Sequence, residues 1–332
     1  MRVYLTGGTG FVGSNVARVF AERHGAELFC PTHRSEPPAE APYDWGPVDL
    51  SDADAVGRSV AAFDPDAIVH AAILNDFARL YTHRGEAWQA YVGTTRHVVD
   101  AANQAGARVV LLSTDWVFDG TQSGATEETP PNPINLYGFL KAASELVVTE
   151  RAQHGAVARV SGVNGVHWAR RHAPRRQDAG FGYFVLSLVD ALRAGRPYRV
   201  WHGPAVNMIA TPTLASDAAA LLWRILGQAH EGTFHCCGGE LADRGELAGR
   251  AARAFGLDPG LIELAPPDPD ALPPGPVPLD TSLSAGATAA ALGVELPGLD
   301  DLLGRMRREL DSGEIGPDPF AAELAAGSRG AP

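Results

Sequence analysis

The chain has 332 residues, 45% of them apolar, which is enough to bury a large core and exceeds one average domain. A net charge of −12 argues against nonspecific binding to nucleic acid or to an anionic membrane. No apolar run approaches the roughly 20 residues that span a bilayer, and the chain enters a strand pattern without a secretory leader, so a cytoplasmic protein is expected.

Residues 2–6 read as a short buried strand. The turn Gly7-Gly8-Thr9-Gly10-Phe11-Val12-Gly13 follows at once, and a helical pattern covers 12–24. Gly7, Gly10 and Gly13 spell G-x-x-G-x-x-G, a relative of the dinucleotide fingerprint, in which small residues let the backbone approach a pyrophosphate at a helix N-terminus. The turn from Gly7 to Gly13, with Thr9, Phe11 and Val12, is therefore the expected phosphate cradle. A second strand, 26–30, leads into a proline-rich loop over 31–47. NAD-binding folds place an acidic residue near this point, yet none lies between Cys30 and Ser35. Arg34 is suited to clasp a 2′-phosphate, so NADPH is the expected cofactor ahead of NADH. The alternative is a solvated loop arginine.

A helix over 52–62, a strand over 67–70, a helix over 85–105 and a strand over 107–112 come next. That strand ends in Ser113-Thr114-Asp115-Trp116-Val117-Phe118-Asp119-Gly120. After a loop over 121–135, a helix over 136–152 carries Tyr137 and Lys141, and a strand over 155–160 follows. Residues four apart share a helix face, so Lys141 can sit beneath the Tyr137 ring. A phenol of ordinary pKa about 10 is a poor acid near neutrality, and a neighbouring ammonium favours its ionised form. Thr114 could hold a carbonyl while Tyr137 hands it a proton; Ser113 is the alternative hydroxyl. Trp116 either stacks on a sugar or packs.

From about 163 the pattern changes to helices over 181–195, 214–228, 243–255 and 299–311. Short strands lie at 198–201 and 232–236, and a proline-dense connector at 266–278. The expected fold class is α/β: a Rossmann-type doubly wound parallel sheet with a smaller, mostly helical C-terminal substrate-binding region. Residues 1–162 form the expected NAD(P)-binding domain, to which the chain later returns in part. Residues 163–312 form the substrate region, and 313–332 a mobile tail. Cys30, Cys236 and Cys237 show no metal spacing and read as buried apolar residues, and no metal is expected.

Together these segments resemble the extended short-chain dehydrogenase/reductase superfamily, in the group typified by dTDP-4-dehydrorhamnose reductase. The resemblance rests on the glycine turn, on Ser113–Gly120, on the Tyr137–Lys141 pair and on His70-Ala71-Ala72. Asp49-Leu50, Arg159-Val160-Ser161-Gly162-Val163 and Ala210-Thr211-Pro212-Thr213 extend it over about residues 1–310. It implies a cofactor site that also takes in Asp49, Leu50, Ala71, Ala72, Ser113 and Val163. It implies substrate contacts at Asn75, Asp115, Trp116 and Asn164, to which Arg170 and Arg175 are expected to add charge from a segment the family does not share.

Three departures stand out. Ala90 occupies the place of an asparagine that props the lysine, and Gly162 that of a tryptophan that packs on the hexose. An insertion over 167–178 brings Arg170, Arg171, Arg175 and Arg176, read either as an electrostatic lid over an anionic group or as an exposed loop. The implied activity is NADPH-dependent reduction of a nucleotide-linked keto-sugar, with no nucleic acid or membrane partner and with a homodimer left open. An epimerase or dehydratase of the same superfamily, or a noncatalytic cofactor-binding subunit, are the rivals.

Overall fold

The computed structural model describes residues 1–33, 36–171 and 176–321. Six strands alternate with helices through the first half: β1 (Arg2–Thr6), β2 (Glu27–Thr32), β3 (Asp44–Pro47), β4 (Ala67–His70), β5 (Arg108–Thr114) and β6 (Gly155–Val160). A seventh, Gly232–His235, joins them from the second half. The sheet runs Gly232–His235, β6, β5, β4, β1, β2, β3, and every neighbouring pair is parallel. Near-continuous apolar runs such as Val3–Leu5 and Ala67–Val69 are buried because helices cover both faces. Strand order reverses between β1 and β4, where Thr6 pairs with His70, and ligands bind at such switch points.

The helices are α1 (Phe11–Arg18), α2 (Ala53–Phe63), α3 (Phe77–Thr82), α4 (Arg84–Trp88), α5 (Thr94–Ala105), α6 (Leu136–Arg151), α7 (Phe184–Arg193), α8 (Ala215–Gly227), α9 (Arg244–Ala254), α10 (Gly286–Leu292) and α11 (Leu299–Ser312). On one face of the sheet, Val16 and Phe20 from the first helical segment meet Leu221, Leu222 and Ile225 of α8. On the other, Val56 and Val60 of α2 pack with Val98 and Val99 of α5 and Val148 of α6. A second core joins α7, α9 and α11 through Phe184, Leu188, Leu247, Ala251, Leu302 and Met306. Small strand pairs stitch this half together: Tyr198–Trp201 with Ile262–Ala265, Val163–Asn164 with Thr213–Leu214, and Ile209–Ala210 with Ala242–Asp243.

Three expectations need correction. Residues 31–47 are not loop throughout: Asp44–Pro47 pairs in parallel with Phe29–Thr32 as the edge strand. Its Asp-Trp-Gly-Pro composition reads as a turn, and an edge position is where a sheet tolerates proline. The short helices α3 and α10 lie where no helix was expected, each too brief to display a period. Packing also does not stop at 313, since Phe320 is buried and its carbonyl accepts from the Arg224 guanidinium. Residues 322–332 of the expected tail lie outside the described residues.

Candidate active site

A cavity of about 1020 Å³ opens at the carboxyl ends of β1, β4 and β5. At one end is the turn from Gly7 to Gly13. Gly7 adopts a left-handed φ of 75°, and a Cβ there would lie 2.8 Å from the backbone of Ala71 and Ala72. A Cβ on Gly13 would come within 2.0 Å of the Gly7 carbonyl. Only glycine allows the first turn of α1 to close on β1 so tightly. No side chain caps α1 and its first turn holds no acidic residue, so amide groups face a cavity bordered by Gly10, Phe11, Val12 and Gly13. Such a cradle fits a dinucleotide pyrophosphate.

Thr6 locks the switch point. Its hydroxyl accepts from the Ala71 and Ala72 amides at 3.1 and 3.2 Å, which directs its own proton to His70 Nδ1 at 2.7 Å. Burial, reinforced by the Lys141 charge, holds His70 down at about 3, so the ring stays neutral and can accept that proton.

In the middle of the cavity stand Thr114, at the end of β5, and Tyr137 and Lys141, on the first turns of α6. Asn135 caps α6 by accepting from the Gly138 amide at 2.8 Å, which fixes where the helix starts and hence where Tyr137 points. A Cβ on Gly138 would lie 2.0 Å from the Trp116 carbonyl, so this helix approaches the β5 end as closely as α1 approaches β1. Three rings surround Tyr137: Phe77 at 5.4 Å, Trp116 at 5.9 Å and Tyr91 at 6.1 Å between centroids. Tyr91 also donates to the Leu74 carbonyl at 3.0 Å, beside Asn75 in the cavity wall. The Lys141 ammonium is buried and donates to the Leu112 carbonyl. Burial brings its pKa down to about 8 against the opposing pull of Glu145 one turn on.

Ser113 faces the other way. Its hydroxyl donates to Glu145, which the Arg159 guanidinium also grips at 2.7 and 3.0 Å, forming a buried ion pair behind the strand. Alternation along β5 therefore gives Thr114, not Ser113, the cavity-facing hydroxyl. Thr114 accepts from the Trp116 amide at 3.2 Å and donates to Asp115 Oδ1 at 3.0 Å.

The far wall comes from the second half. Asp178, Ala179 and Gly180 line it, held by Arg244, a fully buried arginine at the start of α9. Its guanidinium donates to the Gly180 carbonyl at 2.9 Å, the Asp178 carbonyl at 3.0 Å and Gln177 Oε1 at 3.2 Å. Burial draws its pKa down to about 10, so it remains charged at neutral pH. Sequence reasoning missed Arg244; an arginine opening a helix carries no signal of burial. Tyr183, in a left-handed conformation at φ 74°, packs edge-on against Phe11 at 5.1 Å and so joins this wall to the glycine turn. Ala271, Leu272, Pro273 and Pro274 of the proline-dense connector complete the rim.

Most expected residues converge here: Gly7, Thr9, Gly10, Phe11, Val12, Gly13, Leu50, Ala71, Ala72, Asn75, Ser113, Thr114, Asp115, Trp116, Tyr137, Lys141, Val163 and Arg170 all border the cavity. Two do not. Asp49 turns its carboxylate onto Ser51, accepting from that residue's amide and hydroxyl at 2.9 and 2.7 Å. Asn164 is buried among backbone, donating to the Gly162 carbonyl at 2.7 Å. Asp115 reaches the cavity, but three hydroxyls occupy its carboxylate, which argues against a direct substrate contact. Trp116 is nearly buried, its ring packed on Phe77 and Tyr137.

Arg170 lines the cavity, whereas Arg171 lies over the Trp168 ring. Arg34, Arg175 and His172 fall outside the described residues. Among the described residues no cluster of acidic, histidine or cysteine side chains could hold a metal ion, and no helix is long and apolar enough to cross a membrane.

The family model for the RmlD substrate binding domain matches residues 1–311. The chain belongs to that family. Among curated relatives, methionine adenosyltransferase 2 subunit beta of Bos taurus is 29% identical over 265 residues, covering 77% of this chain and 72% of that protein. A hypothetical dTDP-4-dehydrorhamnose reductase from Sulfolobus tokodaii superposes with a TM-score of 0.72 at 25% identity, covering 90% of this chain and 98% of that one. The dTDP-4-dehydrorhamnose reductase of Bacillus anthracis, solved with NADP, shares the fold at a TM-score of 0.72 and 20% identity, covering 93% and 99%.

Proposed function

We propose that this RmlD-family protein is a cytoplasmic NADPH-dependent reductase of a nucleoside-diphosphate-linked keto-sugar, of the 4-keto-6-deoxyhexose type. One observation carries the reading: a single cavity joins the glycine cradle of α1 to Thr114, Tyr137 and Lys141. In this reading residues 1–162 hold the cofactor and 163–312 supply the sugar-nucleotide wall. A reduced nicotinamide dinucleotide, when bound, provides the hydride. The α1 amides hold its pyrophosphate, and Lys141 reaches its nicotinamide ribose. Pro31, Thr32 and His33 border the adenosine end without a carboxylate, which suits a 2′-phosphate, with Arg34 the residue to clasp it.

Thr114 holds the reacting oxygen in place. The Tyr137 phenol gives that oxygen its proton, and the Lys141 ammonium makes the loss easier by offering positive charge to the phenolate left behind. Phe77 and Trp116 wall off water and offer an apolar face suited to a deoxy position. Arg170 meets an anionic group of the substrate.

The test is a panel of dTDP- and UDP-linked 4-keto-6-deoxyhexoses with NADPH and NADH, following net cofactor oxidation and product together. Stoichiometric NADPH loss with alcohol formation supports the reductase. Product without net cofactor loss would assign an epimerase.

A second reading has its own support. Relatives at 29% identity are named as the beta subunit of another enzyme, Ala90 stands in the wide turn of helix at 89–93, and Lys141 is engaged by the Leu112 carbonyl. Tight dinucleotide binding with no turnover of any keto-sugar would favour that noncatalytic subunit.

A further inference from the structure

Asp115 is a cavity-lining carboxylate held by three hydroxyls. Its Oδ2 accepts from Ser161 at 2.8 Å and Thr281 at 2.6 Å, and its Oδ1 accepts from Thr114 at 3.0 Å. These donors come from three places: the end of β5, the end of β6, and the segment before α10. Ser161 also accepts from the Thr211 amide at 3.2 Å, and Thr281 lies within 3.2 Å of Asn207 Oδ1. One carboxylate thus ties the catalytic strand to the wall built by the second half.

A hydroxyl has one proton and two lone pairs. Thr114 receives the Trp116 amide on one lone pair and gives its proton to Asp115, so a single lone pair remains for a ligand. In that state Thr114 can accept from an alcohol but cannot donate to a carbonyl. A proton added to the carboxyl group goes to Oδ1, because Oδ2 already takes two shorter bonds. Oδ1 then donates to Thr114, and the threonine proton turns to the cavity.

We infer that Asp115 is a positioning residue whose protonation decides whether Thr114 offers the reacting oxygen a proton or a lone pair. The inference rests on the reading of Thr114 as the hydroxyl that meets that oxygen. Keto-sugar is held best with Asp115 protonated, and the product alcohol with Asp115 ionised. Burial pushes the Asp115 carboxyl up to about 6, against the pull of Thr281, Ser161 and Thr114, so both states are populated near neutrality. Among the described residues Cys237 also faces it, and burial pushes that thiol up and keeps it neutral. Lys141, in the same cavity, changes charge at about 8.

Two measurements test this. Infrared difference spectra of the full chain between pH 5 and 8 should contain a protonated-carboxyl band with a midpoint near 6 that is absent from Asp115→Asn. Its midpoint should rise in Thr114→Val, which loses the hydroxyl that favours the ionised form. The second uses dTDP-4-dehydrorhamnose with oxidised cofactor and dTDP-rhamnose with reduced cofactor, complexes that cannot react. From pH 5 to 7.5 the keto probe should weaken and the alcohol probe tighten, changing their affinity ratio by roughly tenfold, the span of one pKa unit. Asp115→Asn should flatten both curves, since its amide oxygen takes the Ser161 and Thr281 donors and its NH₂ faces Thr114. A pH-dependent ratio that survives in Asp115→Asn overturns the inference, as does a midpoint unmoved in Thr114→Val. If neither probe binds, the proposed substrate class fails, and the Thr114→Val infrared shift alone decides the coupling.

Discussion

The indole N–H of Trp168 donates to Asn15 Oδ1 at 3.0 Å, fastening the start of the insertion to helix α1. The same asparagine donates to the Val166 carbonyl at 2.9 Å, and the Arg18 and Arg171 guanidinium carbons lie over the Trp168 ring, 4.3 and 5.0 Å from its centre. The segment that leads from β6 into the basic loop is therefore packed on the helix whose N-terminus forms the phosphate cradle. Trp168→Ala should loosen that helix as well as the loop. We expect a stability loss of about 3–5 kcal/mol, the usual cost of emptying a buried aromatic site, together with weaker dinucleotide binding. Calorimetry with and without NADPH checks this; a loss of stability with unchanged cofactor affinity would separate the two segments.

Tyr137→Phe removes one oxygen from a ring held by Phe77, Trp116 and Tyr91. The fold and the glycine cradle should be untouched. Turnover of a keto-sugar should fall roughly 10²- to 10⁴-fold, the worth of a positioned general acid, with cofactor affinity nearly constant. Activity within threefold of the parent would remove Tyr137 as the proton donor.

The alkaline limit of that reaction should follow Lys141. Because burial lowers its pKa to about 8, the ammonium loses its proton as pH rises through 8 rather than near 10.5. Reduction needs the positive charge, so kcat/KM should show a decline above pH 8 that is separate from the one Asp115 gives near 6 and that remains in Asp115→Asn. In Lys141→Met the remaining activity should be low throughout, with its limb moved toward the ordinary phenol value of about 10. A parent profile flat to pH 10 would contradict the role given to Lys141.

Much of this was legible in the sequence because motif and fold coincide. The glycine turn sits between a strand and a helix, and Thr114 and Tyr137 border the cavity at the β5 end. Alternation along β5 decides between Thr114 and Ser113, but sequence does not show which face of the strand meets the cavity. The Asp115 hydroxyl cluster was not legible, since Ser161 and Thr281 lie far apart in the chain and meet only after folding. Arg244 was hidden for the same reason: apart from Gln177 its partners are backbone carbonyls, which leave no trace in side-chain composition.

A second buried ion pair gives a stability prediction. Arg305 donates to Asp217, and both side chains are almost fully covered between α8 and α11. Burial lifts the Asp217 carboxyl to about 7 despite Arg305. Because this folded pKa lies above the unfolded one, Asp217 favours folding at low pH, and that contribution is lost as pH rises through 7. Arg305→Met leaves the carboxylate without its partner and should cost about 3–5 kcal/mol at pH 8. The cost should shrink at pH 6, where Asp217 takes up a proton. Denaturant titrations at the two pH values decide it; an equal loss of about 3–5 kcal/mol at both would mean that Asp217 stays ionised at pH 6.

The basic insertion yields the sharpest contrast between neighbours. Arg170 borders the cavity, while Arg171 lies over Trp168 and reaches toward Gly313. If the loop attracts an anionic substrate, the effect belongs to Arg170 among the described arginines. Arg170→Gln should raise KM for a nucleotide-linked sugar about twofold to fivefold, the scale of a contact between exposed charges. That increase should fade with added salt, because screening already weakens the contact in the parent. Arg171→Gln should leave KM unchanged and cost a little stability through the lost contact with the indole. Equal KM values for the parent and Arg170→Gln at low salt would place recognition of the substrate's anionic group elsewhere in the cavity. A KM rise confined to Arg171→Gln would mean that the loop swings over the cavity when substrate binds.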